Sequence, residues 1–405
     1  TGFHPSAREY PALHQPVPHN LSKNRTPPPI LGTSTVQLQG CIEQLSQCDA
    51  VAIDTEFMRT DTFFPILGLV QLYDGETCWL IDPLEVSDLS SLAEMLTNPD
   101  ITKVFHSCSE DLEVLQHVLG CVPEPLFDTQ VAAAMVGYGF SKGYAALVDA
   151  MLGIHVPKGE TRSDWLKRPL REAQLGYAAS DVYHLLPVYR QLCESLNQLD
   201  RHAWVDEEMT SLIERSADRD DIDHYYLKVK GAWQLTPQGL AALKLLCQWR
   251  ETETRARNRP RNRLVADKAL LEIIIVNPQG KHALAEIEGM HPGIMRRYAD
   301  TLLELLDRGL RTDKADCPAP LSEPLPRQAG DTIKRLKKAV VKQAEVLDLP
   351  PEVLARKRDL EALVRSMLEQ PHTELPASIA NGWRYEAIGK ILLDAANASS
   401  NKSTE

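Results

Sequence analysis

Val51-Ala52-Ile53-Asp54-Thr55-Glu56-Phe57 is an apolar run that ends in two carboxylates one residue apart, and no other stretch constrains the fold as much. Side chains alternate along an extended strand, so Asp54 and Glu56 face one way while Val51, Ile53 and Phe57 face the opposite layer. Two adjacent acids raise each other's pKa, and a divalent cation is the usual means of keeping both ionised. The segment therefore reads as a buried strand with a metal site at its end. By itself the pattern fits a solvent-reaching strand end equally well, because Asp-x-Glu recurs at Asp111/Glu113, Asp206/Glu208 and Asp359/Glu361.

The order of the other elements extends the picture. Residues 1–35 carry seven prolines and no apolar periodicity, as a flexible leader would. A helix is expected over Val36–Gln47, then a hairpin of Ile66–Tyr73 and Thr77–Asp82 around Asp74-Gly75. Strand and helix alternate afterwards: Leu89–Leu96 helix, Ile101–His106 strand, Glu110–Leu119 helix with Ser107-x-x-Glu110 as a possible capping box. Phe127–Val136, Tyr144–Leu152 and Arg171–Leu196 continue as helix. Such a succession predicts an α/β domain over 36–215, a mixed sheet with helices on both faces. Helical patterns then fill 231–315 and 325–396, separated by the proline-rich linker Cys317–Pro326, and a polar tail closes the chain at 397–405.

Two further clusters join Asp54 and Glu56. Asp111 falls in the first turn of a helix, where a carboxylate also serves as a simple cap. Tyr177 and Asp181 stand four apart, one turn of helix, on one face. The order Asp-x-Glu, Asp, Tyr-x-x-x-Asp resembles the DEDDy 3′-to-5′ exonucleases, and the chain is similar to the bacterial ribonuclease D family in particular. The resemblance runs through Asp54–Thr60, Leu69–Leu72, Leu80–Leu84, Ser109–Val114, Asp128–Gln130, Thr161–Leu170 and Tyr177–Pro187. Gly176 stands where the sister group of these enzymes has a histidine, which favours the tyrosine subclass.

The resemblance implies that Asp54, Glu56, Asp111 and Asp181 bind two divalent metal ions and that Tyr177 holds the attacking water. Oxygen-only ligands favour Mg2+ or Mn2+ over zinc. Two ions roughly 3.5–4 Å apart stabilise both the attacking and the leaving oxygen of an in-line displacement. Expected products are nucleoside 5′-monophosphates, and expected partners are RNA, namely tRNA precursors trimmed at the 3′ end and other small structured RNAs. Phe57, Gln71, Arg162 and Arg168 are candidate substrate contacts, against core packing for Phe57, buried hydrogen bonding for Gln71 and a solvated basic loop for the arginines. A 3′-to-5′ exodeoxyribonuclease would carry the same five residues. A catalytically inactive RNA-binding scaffold would have less reason to keep them all.

Charge is divided unevenly. The chain has a net charge of −12, yet residues 30–215 hold 28 acidic against 11 basic side chains, while 231–315 hold 10 against 14 and 325–395 hold 10 against 12. The segment from Leu240 to Leu303 resembles an HRDC domain, and its arginines, Arg257 and Arg261 among them, form a candidate nucleic-acid patch. Ala266–Glu272 aligns with Ala355–Glu361 at a shift of 89, implying a second, diverged HRDC-type copy. Eight cysteines without a Cys-x-x-Cys pair suit reduced thiols. No membrane-length apolar run and no signal-peptide pattern are visible, so a cytoplasmic monomer is expected.

Overall fold

A computed structural model describes residues 28–157, 159–160, 162–217, 221–369 and 373–397. Most of the leader and the tail beyond 397 lie outside the described residues. Two compact units form: 28–58, 67–216 and 325–397 in one, Arg59–Ile66 with the residues from 217 to Pro324 in the other. No described helix is long and apolar enough to cross a membrane.

Among the described residues, the first unit is built on six strands: β1 (Ile30–Gly32), β2 (Ala50–Met58), β3 (Ile66–Tyr73), β4 (Cys78–Ile81), β5 (Thr102–Phe105) and β6 (Leu126–Asp128), in the order β1-β4-β3-β2-β5-β6. β2 lies inside the sheet and pairs in parallel with β5, Ala52 beside Val104. β3 and β4 are antiparallel, and their turn forms as expected: Asp74 Oδ1 accepts from the Glu76 and Thr77 amides at 2.7 Å each, and Gly75 takes φ +105°. The sheet is therefore mixed. Its core includes Val51, Ile53, Leu69, Val70, Val104 and Phe105, all fully buried.

Helices surround or follow the sheet: α1 (Thr35–Leu45), α2 (Ser90–Thr97), α3 (Ser109–Leu119), α4 (Thr129–Met135), α5 (Tyr144–Leu152), α6 (Glu172–Tyr183), α7 (Leu185–Leu199) and α8 (His202–Ala217). Four local expectations are corrected. β1 falls where an unstructured leader was expected. Phe127 belongs to β6, because a short apolar run leading into a helix has no period by which strand and helix can be told apart. The capping box at Ser107 does not form: α3 has no side-chain cap, and Asp128 instead accepts from the Ser107, Cys108, Gln130 and Val131 amides. That one carboxylate ties the start of α3 to the start of α4. The expected helix over Arg171–Leu196 is two, broken at His184. Pro187 explains the break, since its ring would clash with the carbonyl of Tyr183 in a continuous helix.

The C-terminal part of this unit is helical: α14 (Ala329–Leu347), α15 (Pro351–Leu354), α16 (Lys357–Glu369), α17 (Ala377–Ala380), α18 (Gly382–Arg384) and, beyond a single π-turn at Tyr385–Gly389, α19 (Lys390–Asn397). Trp383 is the anchor against α8. Its ring stacks on Trp204 with centroids 4.7 Å apart, its indole N–H donates to Glu208 and its amide to Glu207. Arg384 forks onto both Glu208 oxygens.

The second unit holds α9 (Pro237–Ala256), α10 (Arg261–Leu264), α11 (Asp267–Val276), α12 (Lys281–Ala285) and α13 (Pro292–Leu310) around Leu240, Leu243, Leu246, Leu270 and Leu302. Much of its arginine run is internal framework. Arg250 is fully buried and pairs with Asp267 at 2.7 Å; buried Glu251 receives both Arg255 and Arg261 at 2.6–2.7 Å. Arg257 pairs with Glu253, which also accepts from the Tyr298 hydroxyl. The Arg59–Ile66 segment packs here: Asn258 Oδ1 accepts from the Phe63 and Phe64 amides, and the Phe63 ring lies against Arg255 and Arg261.

Candidate active site

Asp54 and Glu56 leave β2 on the same side, as its pleat requires. α6 crosses the strand there and brings Asp181, so that oxygens of Asp54, Glu56 and Asp181 all lie within 4.8 Å of one another. Tyr177, one turn earlier on α6, donates its hydroxyl to Asp181. These four side chains, 127 positions apart at the extremes (54 to 181), form one cluster. Asp111 on α3 is buried close by, and its charge acts on both Asp54 and Glu56, but its own Oδ1 is taken by the Thr55 hydroxyl at 2.5 Å.

The electrostatics follow from crowding acids that are partly withdrawn from water. Burial, reinforced by neighbouring carboxylates, holds Asp54 well above the usual carboxylate range and pushes Glu56 up to about 8. Burial raises Asp181 to about 7 and Asp111 to about 6, each against the relief of a hydroxyl donor. Burial and then Asp181 raise the Tyr177 phenol too. Among the described residues, no Lys or Arg stands among the main influences on Asp54, Glu56, Asp181 or Asp111. A cluster of hard oxygen donors of this kind fits divalent cations, and Asp54, Glu56 and Asp181 are the residues placed to hold them.

Two features fix Tyr177. A methyl carbon added to Gly159 would stand 2.5 Å from its Cδ2 atom, and the Trp165 ring lies on it with centroids 6.2 Å apart. Trp165 is buried and held from below by Arg168, which donates to its carbonyl at 2.8 Å, to Gly68 O at 2.7 Å and bidentately to Asp82. The Arg168 guanidinium thus buttresses the loop before α6, and its donors are spent there rather than offered to a phosphate. Gln71 is likewise inside, fully buried, with Nε2 3.4 Å from Asp54 Oδ2. Phe57 is half-buried and packs against the core, and Arg162 is exposed. Arg257 and Arg261 carry the ion pairs given above. His106 Nδ1 meets the Thr129 hydroxyl at 2.9 Å, while its Nε2 is buried without a partner among the described residues.

Sequence reasoning missed Thr55 and Tyr144. Thr55 could have been suspected from its place between the two acids; Tyr144 left no signal. Its hydroxyl donates to Ser180 O at 2.7 Å and lies 3.4 Å from the His184 amide, clasping the residues on either side of Asp181. Tyr144→Phe leaves that carbonyl without its donor, a cost of about 1–3 kcal/mol, and loosens the turn that aims Asp181. Steady-state kinetics should show kcat down about tenfold with KM nearly unchanged, the mark of lost transition-state stabilisation; an unchanged kcat would leave Tyr144 a purely structural residue.

Comparison with known proteins agrees with this geometry. Residues 31–197 match a 3′-5′ exonuclease family model and residues 239–306 an HRDC domain model. Ribonuclease D of Pseudomonas paraeruginosa is 45% identical over 88% of this chain and 94% of its own length, and that of a Shewanella strain 37% over 88% and 91%. The crystal structure of Escherichia coli RNase D, an exoribonuclease involved in structured RNA processing, superposes with a TM-score of 0.83 at 32% identity, covering 91% of this chain and 99% of that one. With its carboxylate cluster on β2 and α6 and this likeness along nearly its whole length, the chain belongs to the ribonuclease D family of 3′-to-5′ exonucleases.

Proposed function

We propose that this protein shortens RNA from its 3′ end one nucleotide at a time, releasing nucleoside 5′-monophosphates, and that its substrates are the 3′ trailers of tRNA precursors and other small structured RNAs in the cytoplasm. The convergence of Asp54, Glu56 and Asp181 beside Tyr177 carries the reading. Asp54, Glu56, Asp181 and, as the fourth carboxylate, Asp111 would hold two Mg2+ or Mn2+ ions, which when bound would activate water and supply a counter-charge for the leaving 3′ oxygen. Tyr177 keeps its proton at neutral pH because burial and Asp181 raise its pKa, so it acts by hydrogen bonding, orienting the attacking water. Burial of the carboxylates strengthens each charge–charge interaction at that point.

The helices after Leu325 support a second HRDC-type copy. Pro260 and Pro350 both precede a four-residue helix, α10 or α15, and each is followed by a longer one, α11 or α16. The protein acts as a monomer in this reading.

Digestion of a 5′-labelled tRNA precursor with a short 3′ trailer tests the proposal. Stepwise shortening in Mg2+ or Mn2+, abolished by EDTA and slowing near the mature end, is the expected result. Equal or faster shortening of a DNA strand of the same sequence would move the assignment to a deoxyribonuclease. Binding without shortening under every metal condition would leave an RNA-binding scaffold.

A further inference from the structure

Away from the carboxylate cluster, the seam between α8 and the C-terminal helices encloses two adjoining cavities of about 350 and 190 Å3 that share Arg215, Arg356 and Arg384; Arg358 lines the larger. The larger is within the roughly 300–1,000 Å3 range of small-ligand sites. Arg384 is spent on Glu208 and Val353 O. The others are not so engaged. Arg215 has no ion pair among the described residues, and its strongest neighbours after Glu208 are Arg356, Arg358 and Arg384, all repelling it. Among the described residues the Arg356 side chain meets the Phe140 ring, at 5.4 Å, and has no ion pair, and Arg358 lies a loose 3.9 Å from Asp359.

The cavity also contains acids, but they are used from within. Glu207 accepts the Trp383 amide, and Asp359 accepts the Arg356 amide and the Ser378 hydroxyl at 2.7 and 2.8 Å. Glu352 also lines it, exposed. Arg356, Lys357 and Arg358 run into the N-terminus of α16, the end of a helix where cations are disfavoured and anions welcome. Guanidinium groups that repel one another at a helix N-terminus, in a cavity of ligand size, favour an anion between them.

We propose that this seam is a second phosphate-binding site, in which Arg215, Arg356 and Arg358 clasp the phosphate of a nucleotide. Guanidinium forks match phosphate oxygens bidentately, and Arg215 on α8 and Arg356 just before α16 reach the site from two different parts of the chain, so a bound phosphate draws α8 and the start of α16 together. The choice of a nucleotide over other phosphate carriers rests on the exonuclease reading; the arginine site does not. The phosphate comes either from a free mononucleotide or from the backbone of an RNA strand.

Isothermal titration in EDTA, with inorganic phosphate, adenosine 5′-monophosphate and a ten-nucleotide RNA as separate probes, tests the site on the full chain, on Arg215→Gln/Arg356→Gln and on Asp54→Asn. Asp54→Asn should bind as the parent does. The double variant should lose at least about tenfold in affinity, equivalent to one charge-assisted hydrogen bond at 1.4 kcal/mol per decade. Weakening for phosphate and the mononucleotide identifies a free nucleotide; weakening for the RNA alone identifies the strand. Arg358→Gln alone should weaken the same probe, which guards against a folding defect, and melting curves should show phosphate raising the Tm of the parent but not of the double variant. Equal affinity of parent and double variant for all three probes, no binding of any, or a loss confined to Asp54→Asn would overturn the proposal. Because phosphate binding in EDTA needs no catalysis, it can fail while the exonuclease reading stands, and the reverse.

Discussion

Asp54→Asn should cut the rate of RNA hydrolysis by roughly a thousandfold or more, about 4 kcal/mol of transition-state stabilisation at 1.36 kcal/mol per decade, while making the metal-free protein more stable. Both effects have one cause. Burial and the charges of Asp111, Asp181 and Glu56 all weigh against the ionised form of Asp54, so its charge has most value when a cation shares the site. The sign of the pH dependence follows. Glu56, Asp181 and Asp111 have folded-state pKa values of about 8, 7 and 6, above the roughly 4 of an unfolded carboxyl. The folded chain therefore binds more protons than the unfolded one between these limits. Their stabilising contribution is full below about pH 4 and is lost as pH rises through 8. Metal-free protein should melt at falling temperatures across that window, Asp54→Asn should flatten the fall, and Mg2+ should restore more stability at pH 8 than at pH 5. Differential scanning calorimetry in EDTA and in Mg2+ measures all three. A Tm that climbs with pH in EDTA would contradict the electrostatic account, and hydrolysis by Asp54→Asn at the parent rate would remove Asp54 from the chemistry.

The second large effect belongs to Trp383. Truncation to Ala removes a buried ring stacked on Trp204 and takes the indole donor from Glu208. Deletions of this kind cost about 3–5 kcal/mol, a large share of the roughly 5–15 kcal/mol that holds a domain folded. The loss is concentrated where α18 meets α8. Urea denaturation should show either a lower midpoint or a separate early phase for the C-terminal helices, and limited proteolysis should cut first between Leu325 and Asn397. A midpoint and cleavage pattern like the parent's would mean that the stacked pair is incidental. Trp383→Phe keeps a ring and should recover part of the difference.

The parts of this molecule that could be read from sequence are those set by local period or by adjacency. The pleat of β2 alone puts Asp54 and Glu56 on one side, one turn of α6 relates Tyr177 to Asp181, and the Asp74-Gly75 turn announces its hairpin. Contacts made across the fold left less trace. Nothing near Arg168 in sequence indicates Asp82, 86 positions earlier, as its partner, so a basic loop residue looked like a phosphate contact. The arginines from 250 to 261 looked like a patch for the same reason: Glu251 and Glu253, which occupy several of them, contribute only two charges to any count. Thr55 shows the other limit. Alternation along a strand gives the face of a side chain, not the partner it finds, and Thr55 finds Asp111.

Gly159 brings no functional group to the chemistry, yet the Tyr177 ring occupies the space a side chain would need. In a saturation screen scored by RNA turnover, position 159 should therefore fail for every substituent, Ala included, and group with the catalytic positions. Scored by folding or expression, it should group with ordinary loop positions, because the ring can yield where the backbone need not. The contrast between the two scores separates residues that supply reactivity from one that reserves volume for it.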